Sequence, residues 1–206
     1  MSGSLSQERV VAAGVRVVAD HGWGALSLRA VATELEVTPM ALYRHVPSSG
    51  ELLRGVLDAI VSETCTVSDT GDLGADLMEW ARRFHAELAQ FNGVAGYLLV
   101  SWFDSAPMLE RVEDLLGLVA SHGIDGFEAV AVTNAVLTYV LMRCEAERQV
   151  QSAGVVKRHL RTSGSDRDLG RLRSLAHHYA TADFDAHFEF GLTALVAGMN
   201  LRGRAA

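Results

Sequence analysis

Apolar positions recur along this chain at intervals of three and four, without sustained alternation, so the pattern predicts helices throughout. Ser6 stands where a helix cap belongs, and Val10, Val11, Gly14, Val15, Val18 and Ala19 follow as one predicted buried face, closed by His21-Gly22. Ser27 caps a second, short helix with Leu28, Val31, Ala32 and Leu35 as its apolar stripe. Val37 is the next apolar residue in phase. Thr38 and Pro39 then form a second cap, with Pro at the first helical position where its missing N–H costs nothing. The helix that begins there ends by Val46, because Pro47 disfavours helical geometry before it. Its Ala41, Leu42 and His45 fall at packing spacing, which leaves Met40, Tyr43 and Arg44 facing outward.

Further helices follow. One from Ser48 or Ser49 carries Leu52, Leu53, Val56, Leu57 and Ile60 and ends around Thr64 to Thr66. Leu73, Leu77, Trp80, Phe84, Leu88 and Phe91 mark the next, whose face is unusually aromatic and which Asn92-Gly93 ends. A short apolar helix over Ala95 to Phe103 precedes one running from Pro107 to His122-Gly123. From Phe127 to about Val150 the chain is first apolar almost all round and then charged, a composition that needs neighbours on every side, including a second subunit. Residues 151 to 168 read as a loop, and two helices, Leu169 to Tyr179 and Phe184 to Leu201, complete the chain. In the last of these, Gly191, Ala194 and Gly198 permit close helix approach. The fold class is all-α, with about nine or ten helices.

Two short helices joined by a four-residue break have the layout of a helix-turn-helix, whose second helix enters the major groove of DNA. The run of His21-Gly22, then Leu26 to Ala32 (LSLRAVA), Leu35 to Val37 (LEV), Leu42 to Ser48 (LYRHVPS) and the pair Leu52-Leu53 resembles the TetR family of one-component bacterial transcriptional regulators. The specific likeness spans roughly Leu5 to Ala59. It implies an N-terminal three-helix DNA-binding domain over residues 1–47 and a C-terminal helical effector-binding and dimerisation domain over 48–206. It further implies a homodimer built on the helices from Phe127 and Phe184, a double-stranded DNA operator and a small-molecule effector that releases a repressor. Carried onto this chain, the DNA-facing residues are Ser27, Arg29, Thr38, Pro39, Met40, Ala41, Tyr43, Arg44, His45 and Ser49. Two positions depart from the family pattern. Glu36 occupies a turn position where Gly is usual, so a non-Gly residue is expected in left-handed geometry at about 1–2 kcal/mol. Ser49 replaces a phosphate-contacting Lys.

Composition changes this picture in one respect. The 206 residues are 49% hydrophobic, enough for a real core, but the formal charge is -7, which repels DNA overall. Arg9, Arg16, Arg29 and Arg44 are balanced within the first fifty residues by Glu8, Asp20, Glu34 and Glu36. Positive charge must therefore be placed locally, with Arg29 and Arg44 toward the groove. Cys65 and Cys144 form neither a disulfide framework nor a metal spacing. Glu8, Arg9 and Arg16 break up any secretory leader, and the apolar stretch Ala129 to Met142 is too short for a bilayer, so a cytoplasmic chain without a membrane partner is expected.

For the effector, Trp80, Phe84, Tyr97, Trp102, Phe103, Met108, Tyr139 and Met142 are candidate cavity residues, and His85 and Asn134 supply polar groups on apolar helices. Each has a plainer reading as core. An enzyme is disfavoured: there is no GxSxG elbow, phosphate loop or dinucleotide fingerprint. The cluster His177, His178, Asp183, Asp185 and His187 straddles a predicted helix break without an HExxH spacing, and Asp183 is better explained as a helix cap. No metal and no cofactor are expected.

Overall fold

The computed structural model describes residues 4–151, 170, 171, 174 and 183–199. Among the described residues there are nine delimited α-helices and no strand. They are α1 (Gln7–His21), α2 (Leu28–Glu34), α3 (Pro39–Leu42), α4 (Ser49–Ser62), α5 (Leu73–Leu88), α6 (Val94–Ser101), α7 (Ala106–Ser121), α8 (Gly126–Gln151) and α9 (Phe184–Gly198). Single 3-10 turns cover Trp23–Ala25 and Trp102–Asp104. The loop expected over 151 to 168, most of the helix from Leu169 to Tyr179, and His177 and His178 lie outside the described residues.

Most helix starts are set by the residue before them. Ser6, Ser27, Ser48, Asp72, Ser105 and Asp183 each accept a hydrogen bond from the backbone N–H three residues on, satisfying a donor that has no partner within the helix. Gly93, before α6, has no side chain to cap with, and Thr38 corrects an expectation: its side chain makes no cap bond, and only its carbonyl accepts, from Ala41 N–H at 3.0 Å. Pro39 starts α3 instead, with φ already set for a helix.

Helix α1 buries Val10, Ala13, Gly14, Val17 and Val18, while Val11 and Val15 are half-buried and Ala19 is exposed. The face is rotated from the one expected because α2 and α4 both pack on α1, and a stripe facing two partners is centred between them. At Gly14 the backbones of α1 and α4 come so close that a Cβ would collide with Val56 Cγ2. Helix α4 continues from this contact into the larger body, where Ser105 Oγ donates to Asp58 Oδ1 at 2.7 Å. Thus α4 packs on α1 with Leu52 and Val56 and reaches α7, so the core is continuous from the N-terminal helices into the body.

In the body, α5, α8 and α9 are joined by polar bonds laid over apolar packing. Arg82 forms a bidentate pair with Glu189 at 2.7 and 2.9 Å, linking α5 to α9. Tyr139 Oη donates to the Phe188 carbonyl at 2.8 Å, linking α8 to α9. Helix α8 has the length the sequence predicts, but its apolar part extends beyond Ala129 to Met142: Gly126–Gln149 is long and apolar enough to cross a membrane by length and composition alone. Its buried residues Val132, Val136, Leu137, Val140 and Leu141 are part of the core, so α8 is accounted for as the central helix of the body.

A second joint ties the N-terminal helices to the body. Trp23 N–H donates to the Asn92 carbonyl at 2.7 Å, and the Trp23 and Tyr97 rings lie 4.9 Å apart. Gly22 and Gly93 both have positive φ, 81° and 87°, and each presents its bare Cα to the other segment, so the two chain turns interlock.

Gly14→Val should destabilise the protein by about 1–3 kcal/mol through overpacking at the α1–α4 crossing, read as a lowered denaturant midpoint. The Arg82–Glu189 pair makes a pH prediction. Arg82 holds the Glu189 carboxyl below its ordinary value, chiefly by hydrogen bonding. Its stabilisation is therefore complete above the carboxyl's unfolded pKa and is lost as pH falls through the lower folded value. Arg82→Gln should flatten the acid side of the melting-temperature profile and leave the neutral-to-alkaline shape unchanged.

Candidate nucleic-acid interface

The turn between α2 and α3 is built by two backbone bonds. Glu36 N–H donates to the Thr33 carbonyl at 3.1 Å and Val37 N–H to the Ala32 carbonyl at 2.9 Å. This pair of bonds is the Schellman closure of a helix, and it requires left-handed geometry at the residue after the cap. That residue is Glu36, with φ 56°, the only non-glycine among the described residues with positive φ. The closure turns the chain sharply enough for Pro39 to begin α3 across α2.

Helix α3 is short but firmly seated. Leu42 and Val46 are buried, and the turn continues past the helix through His45 and Val46 N–H bonds to the Leu42 carbonyl at 2.8 and 2.9 Å. With those two residues inward, Met40, Tyr43 and Arg44 form one outward stripe at helical spacing, Met40 being 74% and Tyr43 48% exposed. Thr38, Pro39, Arg29, Ser27 and Ser49 are also exposed, while Ala41 and His45 are half-buried at the flanks. Ser27 Oγ is engaged in capping α2, and Ser49 sits at the first position of α4 behind its cap Ser48. Val37 is 36% exposed and lies at the rim of the core that its phase predicted it would join.

Charge is sorted around this face. Glu34 pairs with Arg16 of α1 at 2.8 Å, so its carboxylate is neutralised. Arg29 and Arg44 remain exposed at the helix-turn-helix. The exposed Asp20 and Glu36 form no ion pair among the described residues.

The candidate effector residues separate into three groups. Trp80, Phe84, His85 and Met108 lie buried in the body, with Trp80 stacked on Phe84 at a centroid distance of 4.8 Å and Tyr139 half-buried nearby in the core's outer layer. Tyr97 belongs to the joint with Trp23, and Trp102 stacks on the exposed Phe103 at 3.6 Å in the 3-10 turn after α6. Asn134 and Met142 are exposed on the outer side of α8, which corrects their assignment to an internal cavity. Their phase on the helix is opposite that of Val136 and Val140, the residues that face the core.

Sequence reasoning missed the partners of His85. Its Nε2 lies 3.0 Å from Glu147, which Arg143 also binds at 3.0 Å, and its ring stacks on Phe188 at 4.1 Å. An i,i+4 Arg–Glu pair on an otherwise apolar helix was the available signal. Trp80 Nε1 and Thr133 Oγ1 are buried without a hydrogen-bond partner, a costly condition inside an apolar body. Burial pushes both thiols, Cys65 and Cys144, up to about 12, so neither is a nucleophile at neutral pH. Asp69, Asp76 and His122 cluster, but Asp69 accepts from Ser121 Oγ at 2.8 Å and Asp76 from Thr70 Oγ1 at 2.7 Å, a loop clamp with its acceptors in use.

An exposed apolar face remains. Phe127 is 88% exposed, with Val130, Asn134 and Met142 along the same stripe of α8, and Phe190 of α9 is 80% exposed with Ala194 and Ala197 beside it. Two adjacent helices with bare apolar stripes have the form of half a four-helix interface.

Residues 10–56 match the model of bacterial regulatory proteins of the tetR family, and residues 67–202 that of the tetracyclin repressor-like C-terminal domain. The chain is 30% identical to the HTH-type transcriptional repressor DrrR1 of Streptomyces coeruleorubidus, over 96% of this chain and 78% of the relative. Its fold matches apo ActR from Streptomyces coelicolor with a TM-score of 0.77, 24% identity and coverage of 99% and 98% of the two chains. BioQ of Mycobacterium smegmatis matches with a TM-score of 0.69, 28% identity and coverage of 97% and 100%. A structure of BioQ with its natural double-stranded DNA operator matches at 0.68, 26% identity and coverage of 95% and 98%.

Glu36→Gly should stabilise the protein by about 1 kcal/mol, since the left-handed position then carries no Cβ penalty. It also removes a negative charge beside the DNA face. A raised melting temperature together with tighter, still selective DNA binding is the expected result.

Proposed function

The chain belongs to the tetR family of bacterial regulatory proteins, and from that premise we propose that it is a homodimeric repressor that a small molecule releases from a near-palindromic operator. The observation that carries the reading is the outward stripe Met40, Tyr43 and Arg44 on a helix whose opposite side is locked by Leu42 and Val46. A helix presented this way enters a major groove. Two of them, related by a dimer axis, meet half-sites about 34–36 Å apart. Arg44 and Arg29 supply the phosphate or base contacts, Tyr43 the aromatic contact, and Ser49, Thr38 and His45 the flanking donors. The DNA-reading unit is residues 1–47 and the effector and dimer unit 48–206, in a cytoplasmic protein with no catalytic role.

Dimerisation through α8 and α9 covers Phe127, Val130 and Phe190 and fixes the separation of the two readers. The effector enters the body near Trp80, Phe84 and His85, where Trp80 Nε1 is a buried donor without a partner. Its presence alters the reader through two linkages. One is α4, which packs on α1 at one end and on α7 at the other. The other is the Trp23–Asn92 bond with the Trp23–Tyr97 contact, which reports the position of the start of α6. A coupling of about 1–3 kcal/mol suffices for a switch.

Titration against DNA from upstream of the chain's own gene tests this. Saturable, sequence-selective binding is expected, weakening with salt at a slope of roughly −4 if the two Arg pairs of a dimer carry most phosphate contacts. Tyr43→Ala with Arg44→Ala should abolish that binding while sedimentation still shows a dimer. Retained selective binding in the double variant would overturn the assignment of α3 as the reader.

A further inference from the structure

We infer that Met40 reads thymine methyl groups, so that the operator carries thymine where the start of α3 meets each half-site. The inference rests on the reading of α3 as the DNA-contacting helix and adds what it recognises. Residues at the N-terminal end of a groove-inserted helix approach base edges most closely. Here those residues are Thr38, Pro39, Met40 and Ala41, and the Thr38 hydroxyl is the one side-chain hydrogen-bonding group among them. None of the four can make the bidentate bonds by which Arg reads guanine or Asn and Gln read adenine. What they present is apolar. Met40 is 74% exposed on the outward face, ahead of Tyr43 by three residues and Arg44 by four, so it reaches deepest into a groove along which those two follow. The C5 methyl of thymine is the apolar group that the major groove offers. An unbranched thioether adapts to the position of such a methyl better than a branched side chain. Glu36, beside this end, disfavours close approach of phosphate, which further shifts selectivity toward contacts on the base edges.

The test begins with the full-length protein and a random-sequence duplex library, from which an operator is selected in vitro. Thymines within the half-sites are then replaced by deoxyuracil, which removes only the C5 methyl. Binding should weaken about fourfold for each half-site and roughly sixteenfold for both, the value of one methyl per half-site leaving apolar contact. Met40→Ala should bind the thymine operator more weakly and no longer distinguish thymine from deoxyuracil, whereas Met40→Leu should retain the distinction. Equal affinity of the natural chain for both duplexes, or undiminished discrimination by Met40→Ala, overturns the inference and leaves the regulator reading standing. Enrichment of no sequence at all overturns both.

Discussion

Helix α4 runs from the N-terminal helices into the body within one continuous core, and the arrangement of the molecule depends on that continuity. Leu52 and Val56 pack against α1, where a Cβ at Gly14 would collide with Val56 Cγ2. Beyond them Leu57, Ile60 and Val61 are buried as well, and Asp58 accepts from Ser105 at the start of α7. A rigid rod packed on α1 at one end and on α7 at the other transmits orientation between them without needing a flexible messenger. The interlocked turns at Gly22–Trp23 and Asn92–Gly93 supply a second point of attachment, so the reader is held by two links and not by a single hinge.

Electrostatics makes the geometry more demanding. A chain of formal charge -7 gains nothing from a diffuse attraction to DNA, so affinity must come from a few well-placed contacts and their duplication in a dimer. The Arg16–Glu34 pair shows how the acidic residues near the reader are kept from opposing it. Among the described residues Glu36 has no such pair. It stands in a strained backbone position and carries an exposed carboxylate close in sequence to α3.

Much of this was readable from residue order because local signals and tertiary packing agree. Five of the six side-chain caps seen fall at sequence-expected helix starts, the α2–α3 break follows from spacing and its left-handed Glu36 from the family resemblance, and the exposed stripes of α8 and α9 follow from apolar composition without enough neighbours. The departures share a physical origin. Apolar spacing says that a helix buries a face but not which phase wins when two partners compete, hence the rotated α1 and the outward Asn134 and Met142. A β-hydroxyl ahead of Pro reads as a cap, yet Thr38 leaves its side chain free because proline alone sets the start of α3. Tyr97 does line a cavity, with Leu53, Leu57 and Asp104, but its ring contact with Trp23, from a segment more than seventy residues earlier, has no local mark. Long-range pairs such as His85 with Glu147 carry no local mark beyond a charge on an apolar helix.

The central claim is that two copies of α3, held at fixed separation by α8 and α9 and oriented by α4, occupy successive major grooves. Methylation-interference mapping on bound operator DNA measures this directly. The account predicts two patches of major-groove interference on one face of the duplex, their centres about one helical turn apart. A single patch, or interference confined to the minor groove, would contradict it.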